Sequence, residues 1–231
     1  MRLLVIDLWK RGNGRLNVCL ANGGATSVDL SDEKWDTTSR YPEMLSELRH
    51  LRHLSIACSG WRLQNPYHVS TSLRHLSPTL ETLKLDFKDA PACLREYTFR
   101  PSHHDPSLVI PIAGPVWNVG GVLPNLKTLT MPGECHFTSS DLDSLPSGLT
   151  SLSLAWSDVD DLVTSHLPRN LLDLDLHQGT ELFSTSDFAT LPPTLTRLHC
   201  YSRLPSLDIL KYLPRSMTEI GPEFASLVAR I

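Results

Sequence analysis

From residue 123 onward, apolar and polar positions follow one phrase that returns at nearly fixed spacing. The phrase is Leu-Pro, a short polar spacer and then Leu-x-x-Leu-x-Leu, and it begins at Leu123, Leu145, Leu167 and Leu191. Its last leucines alternate with polar residues, the period-two pattern of a short strand with one buried face. Because proline cannot donate to a strand ladder, each Leu-Pro marks the edge of the strand that follows.

The same core can be traced through most of the chain. Indexed on the first leucine of Leu-x-x-Leu-x-Leu, the clear units begin at Leu51, Leu80, Leu126, Leu149, Leu171, Leu195 and Met217. Looser copies begin at Leu3 and Ala25, and a degraded copy begins at Ser107. The pattern therefore predicts one domain over residues 1–231 with about ten units, irregular at 90–122, where prolines interrupt the rhythm. It leaves open that the chain is a portion of a larger protein.

The connections between strands often carry an Asp followed by an apolar residue. These pairs are Asp141-Leu142, Asp161-Leu162, Asp187-Phe188 and Asp208-Ile209. Because Asp accepts hydrogen bonds from the free amides at a helix start, each return segment is expected to contain one or two capped helical turns. A unit of this length cannot cover its own apolar face, so the units must stack. The predicted fold is an α/β solenoid with a curved parallel sheet of short strands and short helical or irregular return segments.

The polar residues between the strand leucines are expected to line the concave face of this sheet. The richest predicted patch, a tentative protein-binding site, consists of Trp156, Asp173, Asp175, His177, Arg197, His199 and Tyr201. The face continues upstream through Thr82, Lys84 and Asp86. Aromatic and Arg side chains often dominate the binding energy of protein interfaces, although the same patch would also be ordinary as a solvated polar surface.

The recurring Leu-Pro-x-x-Leu-x-x-Leu-x-Leu phrase resembles the leucine-rich repeat, and it is similar to the irregular protist-type FNIP repeats. The resemblance covers nearly the whole chain, most closely Leu123 to Ile220. The chain departs from the usual repeat three residues after the last strand leucine, where it has residues such as Glu134, Ser157 and Gly179 instead of Asn or Cys. An asparagine ladder is therefore not expected at that turn.

The resemblance implies a non-enzymatic protein-interaction module that uses the concave face. Its partner would be an unidentified protein or peptide. Leucine-rich repeats also recognise substrates in F-box-type ubiquitin-ligase adaptors, and this alternative stays open. The sequence identifies neither the partner nor the oligomeric state.

Composition adds little to this picture. The 231 residues are 41% hydrophobic and 20% charged, with a formal net charge of −4. Because Lys and Arg are scattered and outnumbered, no nucleic-acid partner is expected. The apolar start is broken by Asp7 and Lys10, which predicts a strand and no membrane segment. Five widely separated cysteines favour a reducing compartment, so the expected location is cytoplasmic.

No reaction chemistry is predicted from the motifs. Asp175, His177 and His199 are residue types that suit divalent metals, but no His-x-His, Cys-x-x-Cys or His-Glu-x-x-His spacing accompanies them. No Gly-x-Ser-x-Gly elbow or phosphate-binding glycine loop occurs either. The adjacent Gly120 and Gly121 are interpreted as a turn. No metal, cofactor or enzymatic activity is expected.

Overall fold

The computed structural model describes residues 26–30, 48–57, 73–74, 76–86, 118–135, 139–156, 164–177, 185–200 and 207–221. Eight strands form one open, wholly parallel sheet whose spatial order is the order of the sequence. They are β1 (Ser27–Leu30), β2 (His53–Ala57), β3 (Thr82–Asp86), β4 (Thr128–Cys135), β5 (Ser151–Trp156), β6 (Asp173–His177), β7 (Arg197–Cys200) and β8 (Glu219–Ile220).

Each strand belongs to one predicted unit, from the unit at Ala25 to the unit at Met217. The two remaining units, at Leu3 and Ser107, lie outside the described residues. The short strands and the parallel pairing are therefore confirmed for eight units.

The return segments that the structure describes are short. Their helices are α1 (Val119–Val122), α2 (Ser139–Asp143) and α3 (Thr185–Ala189), with 3₁₀ turns at Thr164–His166 and Leu207–Tyr212.

The aspartates expected to cap the return segments lie inside the first turn of these elements. Asp141 is the third residue of α2, Asp187 is the third residue of α3, and Asp208 is the second residue of the last 3₁₀ turn. Asp161 lies outside the described residues. A carboxylate at these positions still favours the helix start, because it faces the positive end of the backbone dipole.

One face of the sheet carries the apolar core. The second residue of every strand forms a buried or partly buried row, and the first leucine of each unit forms another beneath it. These rows are Val28, Leu54, Leu83, Leu129, Leu152, Leu174, Leu198 and Ile220, and Leu51, Leu80, Leu126, Leu149, Leu171, Leu195 and Met217. The return segments add Leu142, Phe188 and Ile209 to this core. Among the described residues, the core is less covered at the last unit, where Leu213, Met217 and Ile220 are partly buried; Val122 is partly buried as well.

A repeated backbone pattern sets the register of the sheet. At each step, two successive amides donate to one carbonyl of the preceding unit, as Leu172 and Asp173 do to the carbonyl of Thr150 at 2.8 and 3.0 Å. The turn before each strand closes when the first leucine donates three residues back, as Leu171 does to Pro168 at 3.1 Å. In four of the seven described turns the acceptor is a proline, which needs no amide to accept through its carbonyl.

Polar side chains link these turns from unit to unit. The residue before the first leucine donates to turn carbonyls of the preceding unit in five units, and the donors are Thr79, Asn125, Asn170, Thr194 and Ser216. The Thr194 hydroxyl, for example, lies 2.7 Å from the carbonyl oxygen of Arg169 and 2.8 Å from that of Leu171. We call this row the turn ladder. It satisfies backbone carbonyls of the turns that precede the strands.

Gly148 occupies the turn-ladder position in the unit of β5. A Cβ added there would meet no atom within 4 Å. We expect Gly148→Thr to raise the free energy of unfolding by about 0.5–1.5 kcal/mol, because its hydroxyl would reach the carbonyls of Pro124 and Leu126. Urea denaturation at 25 °C should show Gly148→Thr to be more stable than Gly148→Val, which has the same shape without the hydroxyl. Equal stability of the two variants would contradict a role for the ladder.

The register of the sheet shifts once, in β4. Met131 pairs with Leu154, but the next partner of β5 is Glu134, so Pro132 and Gly133 form an irregularity. Proline lacks the amide that the ladder would use, and glycine accommodates the bend. Uniform repeats would pair Pro132 with Ala155, because each lies two residues after an outward position, whereas the structure pairs Glu134 with Ala155.

Candidate functional site

The face of the sheet opposite the core is lined by the first and third residues of the strands. We call it the open face. Its first row is Ser27, His53, Thr82, Thr128, Ser151, Asp173, Arg197 and Glu219, and its second row is Asp29, Ser55, Lys84, Thr130, Ser153, Asp175 and His199. All these side chains are exposed or half-buried. The face is polar along its whole length because strand residues two apart project to the same side.

Four residues of the predicted patch lie on neighbouring strands of this face. Asp173 and Asp175 are on β6, and their register partners on β7 are Arg197 and His199. Trp156 and His177 end β5 and β6, and the structure describes them only through their backbone pairing. Tyr201 lies outside the described residues. The predicted patch is therefore a contiguous surface in its described part.

Ion pairs order the side chains of β6, β7 and β8. Arg197 Nη2 donates to Asp173 Oδ2 at 2.7 Å, and His199 Nε2 lies 3.5 Å from Glu219 Oε1. About half of the Arg197 side chain remains exposed. Because exposed pairs contribute only about 0–1 kcal/mol, their main effect here is to hold the side chains in fixed positions. The described outward side chains of these strands include three carboxylates, one guanidinium and one imidazole, so acidic groups outnumber basic ones.

Glu219 belongs to this surface, and the sequence interpretation missed it. The residue two positions after the first leucine points to the open face in the other units, as Asp173 and Arg197 do. The same count from Met217 gives Glu219. The signal was thus present in the repeat register.

Asp86 is not exposed as the alternation predicts. It is the last residue of β3, pairs in register with Ala57 and is buried. Lys84 is exposed and Thr82 is half-buried, as expected.

A second charged network lies where β2, β3 and β4 begin. Glu81 accepts from Lys127 Nζ at 2.8 Å and from Arg52 Nη1 at 3.1 Å. The hydrogen bond from Lys127 lowers the pKa of Glu81; desolvation opposes it, and the positive charges of Lys127, Arg52 and His53 lower the pKa further. The network joins three neighbouring strands at the edge of the open face.

The lowered pKa of Glu81 has a consequence for acid stability. Its contribution is complete above the ordinary value of 4.5 and is lost as the pH falls through the lower value of the folded state. We therefore expect wild type to be more stable than Glu81→Gln at pH 6, with the difference disappearing at lower pH. Urea denaturation of both proteins between about pH 6 and pH 3 measures this. A difference that stays constant across this range would contradict the assignment.

The described part of the chain offers no arrangement for metal chemistry. None of its residues form a group of three or more His, Cys, Asp or Glu side chains that could hold a metal ion. Asp175 on β6 and His199 on β7 are register partners. Among the described residues, no third His, Cys, Asp or Glu joins them in a group that could hold a metal ion. What this geometry offers is a preset array of polar side chains.

Two further findings concern membrane-spanning helices and similarity to known proteins. Within the described ranges, no helix has the length and apolar character needed to cross a bilayer. Compared with known proteins, the chain matches no protein-family model, and no curated protein is significantly similar to it in sequence.

Proposed function

We propose that this chain is a leucine-rich-repeat protein and that it acts as a non-enzymatic interaction module, with the open face as its binding surface. The observation that carries the proposal is the row of outward polar side chains, one from each of the eight strands, which pairs in register because it precedes the shift in β4. A face built this way presents many side chains at once, and their identities vary from unit to unit while the core stays constant.

The strands keep the cost of binding low. A side chain that is fixed before the partner arrives loses less conformational entropy on association. Arg197 is held by Asp173 and His53 lies 3.1 Å from the Thr82 hydroxyl, so side chains at both ends of the face already have defined positions. The mechanism is recognition by a preformed surface, and no chemical step is assigned to the chain.

Affinity capture from the native cell extract tests the proposal. The test variant carries Ser151→Arg and Ser153→Arg, which place two large side chains in the middle of the open face. The control variant carries Ser147→Arg and Ser165→Arg, at exposed positions in a turn and a return segment. Circular dichroism should first show that both variants are folded.

We expect a protein that is recovered by wild type and by the control and is lost with the test variant. Equal recovery by all three proteins would place the binding surface elsewhere. Recovery by none of them would count against an interaction function in that cell.

A further inference from the structure

Between β2 and β6, both rows of the open face have the same order of residue types; beyond these strands Asp29 precedes Lys84, and Arg197 and His199 follow the aspartates. The first row runs from His53 through the hydroxyls of Thr82, Thr128 and Ser151 to Asp173. The second row runs from Lys84 through Thr130 and Ser153 to Asp175. In each row a basic residue type comes first, short hydroxyl side chains follow, and an acidic residue ends the run.

The charged residues at the two ends reinforce this polarity. Lys84 is exposed, and Arg52 and Lys127 share the single carboxylate of Glu81, so that network keeps one positive charge in excess. At the other end, Glu219 joins Asp173 and Asp175, with Arg197 beside Asp173 and His199 beside Glu219, so acidic side chains outnumber basic ones among the described outward side chains of β6 to β8. One end of the face therefore attracts an acidic group, and the other attracts a basic group.

The hydroxyl residues form a low floor between these ends. We call Thr82, Thr128, Thr130, Ser151 and Ser153 the hydroxyl floor. Lys84 and Asp175 stand on β3 and β6, three strand spacings apart, which is about 14 Å. An α-helix has a diameter of about 10–12 Å with its side chains, and about nine or ten of its residues cover 14 Å along the axis.

We propose that the partner of the open face is an α-helix that crosses the strands over the hydroxyl floor. It carries an acidic side chain near its N-terminus, over Lys84, and a basic side chain seven or eleven residues later, over Asp173 and Asp175, since these spacings lie on either side of about 14 Å and return to the same face of a helix. This inference rests on the proposed function and specifies the chemistry of its partner.

The backbone of the sheet favours a helix over an extended segment. The carbonyls and amides of β3 to β6 already pair with neighbouring strands, so an extended segment on this face would find few backbone partners. A helix satisfies its own backbone and needs only side-chain contacts. Acid at the N-terminus and base at the C-terminus also agree with the dipole of the partner helix itself.

Selection from a phage-displayed library tests this directly. The probe is a set of alanine-based helical peptides of 16 residues in which one face is randomised. Enriched peptides are then titrated against wild type, the neutralised variant Lys84→Gln with Asp175→Asn, and the swapped variant Lys84→Asp with Asp175→Lys. The control swap is Asp208→Lys with Lys211→Asp, an exposed ion pair on a return segment whose Nζ and Oδ1 atoms lie 2.6 Å apart.

We expect the enriched peptides to have the acid-to-base order at the stated separation. The neutralised variant should bind them about tenfold more weakly than wild type does, and the control swap should leave their affinity unchanged. The swapped variant should enrich the reverse order. If the neutralised variant binds the peptides as tightly as wild type does, or if they show no charge order, the inference is wrong.

A variant in which large side chains block the hydroxyl floor distinguishes a failure of this inference from a failure of the proposed function. Peptides that lose binding to the variant Ser151→Arg with Ser153→Arg but lack the charge order overturn only the helix polarity, and the open face remains the binding surface. Peptides that bind this variant as tightly as wild type overturn both proposals, as does a library from which nothing is enriched.

Discussion

Leu174→Asp should abolish the cooperative unfolding transition or lower the free energy of unfolding by at least about 4 kcal/mol. Leu174 is fully buried on β6, between Leu152 of β5 and Leu198 of β7. Deleting a buried leucine side chain costs about 2–5 kcal/mol, and a carboxylate in its place adds the cost of a buried charge. Because each unit buries its apolar face only against its neighbours, the damage should extend to β5 and β7.

Chemical denaturation and amide hydrogen exchange measure this effect. Ile220→Asp is the matched variant at the sheet edge, where the side chain is only partly buried, and it should cost about 1–2 kcal/mol. Ser153→Asp tests the open face and should change stability by less than about 1 kcal/mol. If Leu174→Asp and Ile220→Asp cost the same, stability is not shared along the array as proposed. Leu3, the other end position suggested by the sequence, lies outside the described residues.

Gly120→Ala should lower the free energy of unfolding by about 2–4 kcal/mol, the second largest effect that we expect. A Cβ at Gly120 would lie 2.3 Å from the carbonyl oxygen of Ser144 and 3.0 Å from the amide nitrogen of Pro146. These are backbone atoms, which cannot rotate away as a side chain can. Separating the two segments would also break the hydrogen bond from the Gly120 amide to Ser144, which is 2.6 Å long.

The neighbouring Gly121 provides the control. A Cβ there would meet the side-chain end of Asn118 at 2.7 Å, and that amide group can turn aside. Alanine is also the better helix former by about 1 kcal/mol, so Gly121→Ala should be nearly neutral. Thermal or urea unfolding of the two variants measures this difference in the free energy of unfolding. A cost at Gly121 equal to that at Gly120 would mean that backbone contact with Ser144 is not the cause.

The sheet could be predicted from the sequence because its signal repeats. Each unit places an apolar residue at the same offset, so weak evidence from one strand is strengthened by the next. The same register predicts the open face, and it brings Asp173, Asp175, Arg197 and His199 together. The regular spacing of the leucines predicts these strand positions even where the structure of the segments between strands is not predicted.

Features that depend on contacts between different units could not be predicted in the same way. Gly120 and Gly121 were interpreted as a turn, but they lie in α1, where Gly120 is required by the close approach of Ser144. The shift at Pro132 and Gly133 also changes pairing that the repeat alone makes uniform. These details arise where two segments far apart in sequence pack together, and local propensity does not encode them.

The turn ladder could be predicted from the sequence only in part. Its donors share one position, directly before the first leucine, so an alignment of the units reveals a polar column. Their chemistry differs, however, since Thr194 bridges two carbonyls whereas Asn170 reaches only that of Ser147. The sequence therefore shows where the ladder lies, and the structure shows which carbonyl oxygens it satisfies.

The sequential strand order also determines how the molecule yields to mechanical force. Since β1 to β8 lie side by side in chain order, tension applied across the strands at the two ends would load one strand pair at a time. The pair β7–β8 has only two residues in register and a partly buried core, so it should separate first. Extension would then proceed unit by unit from that end, in steps of about one repeat length.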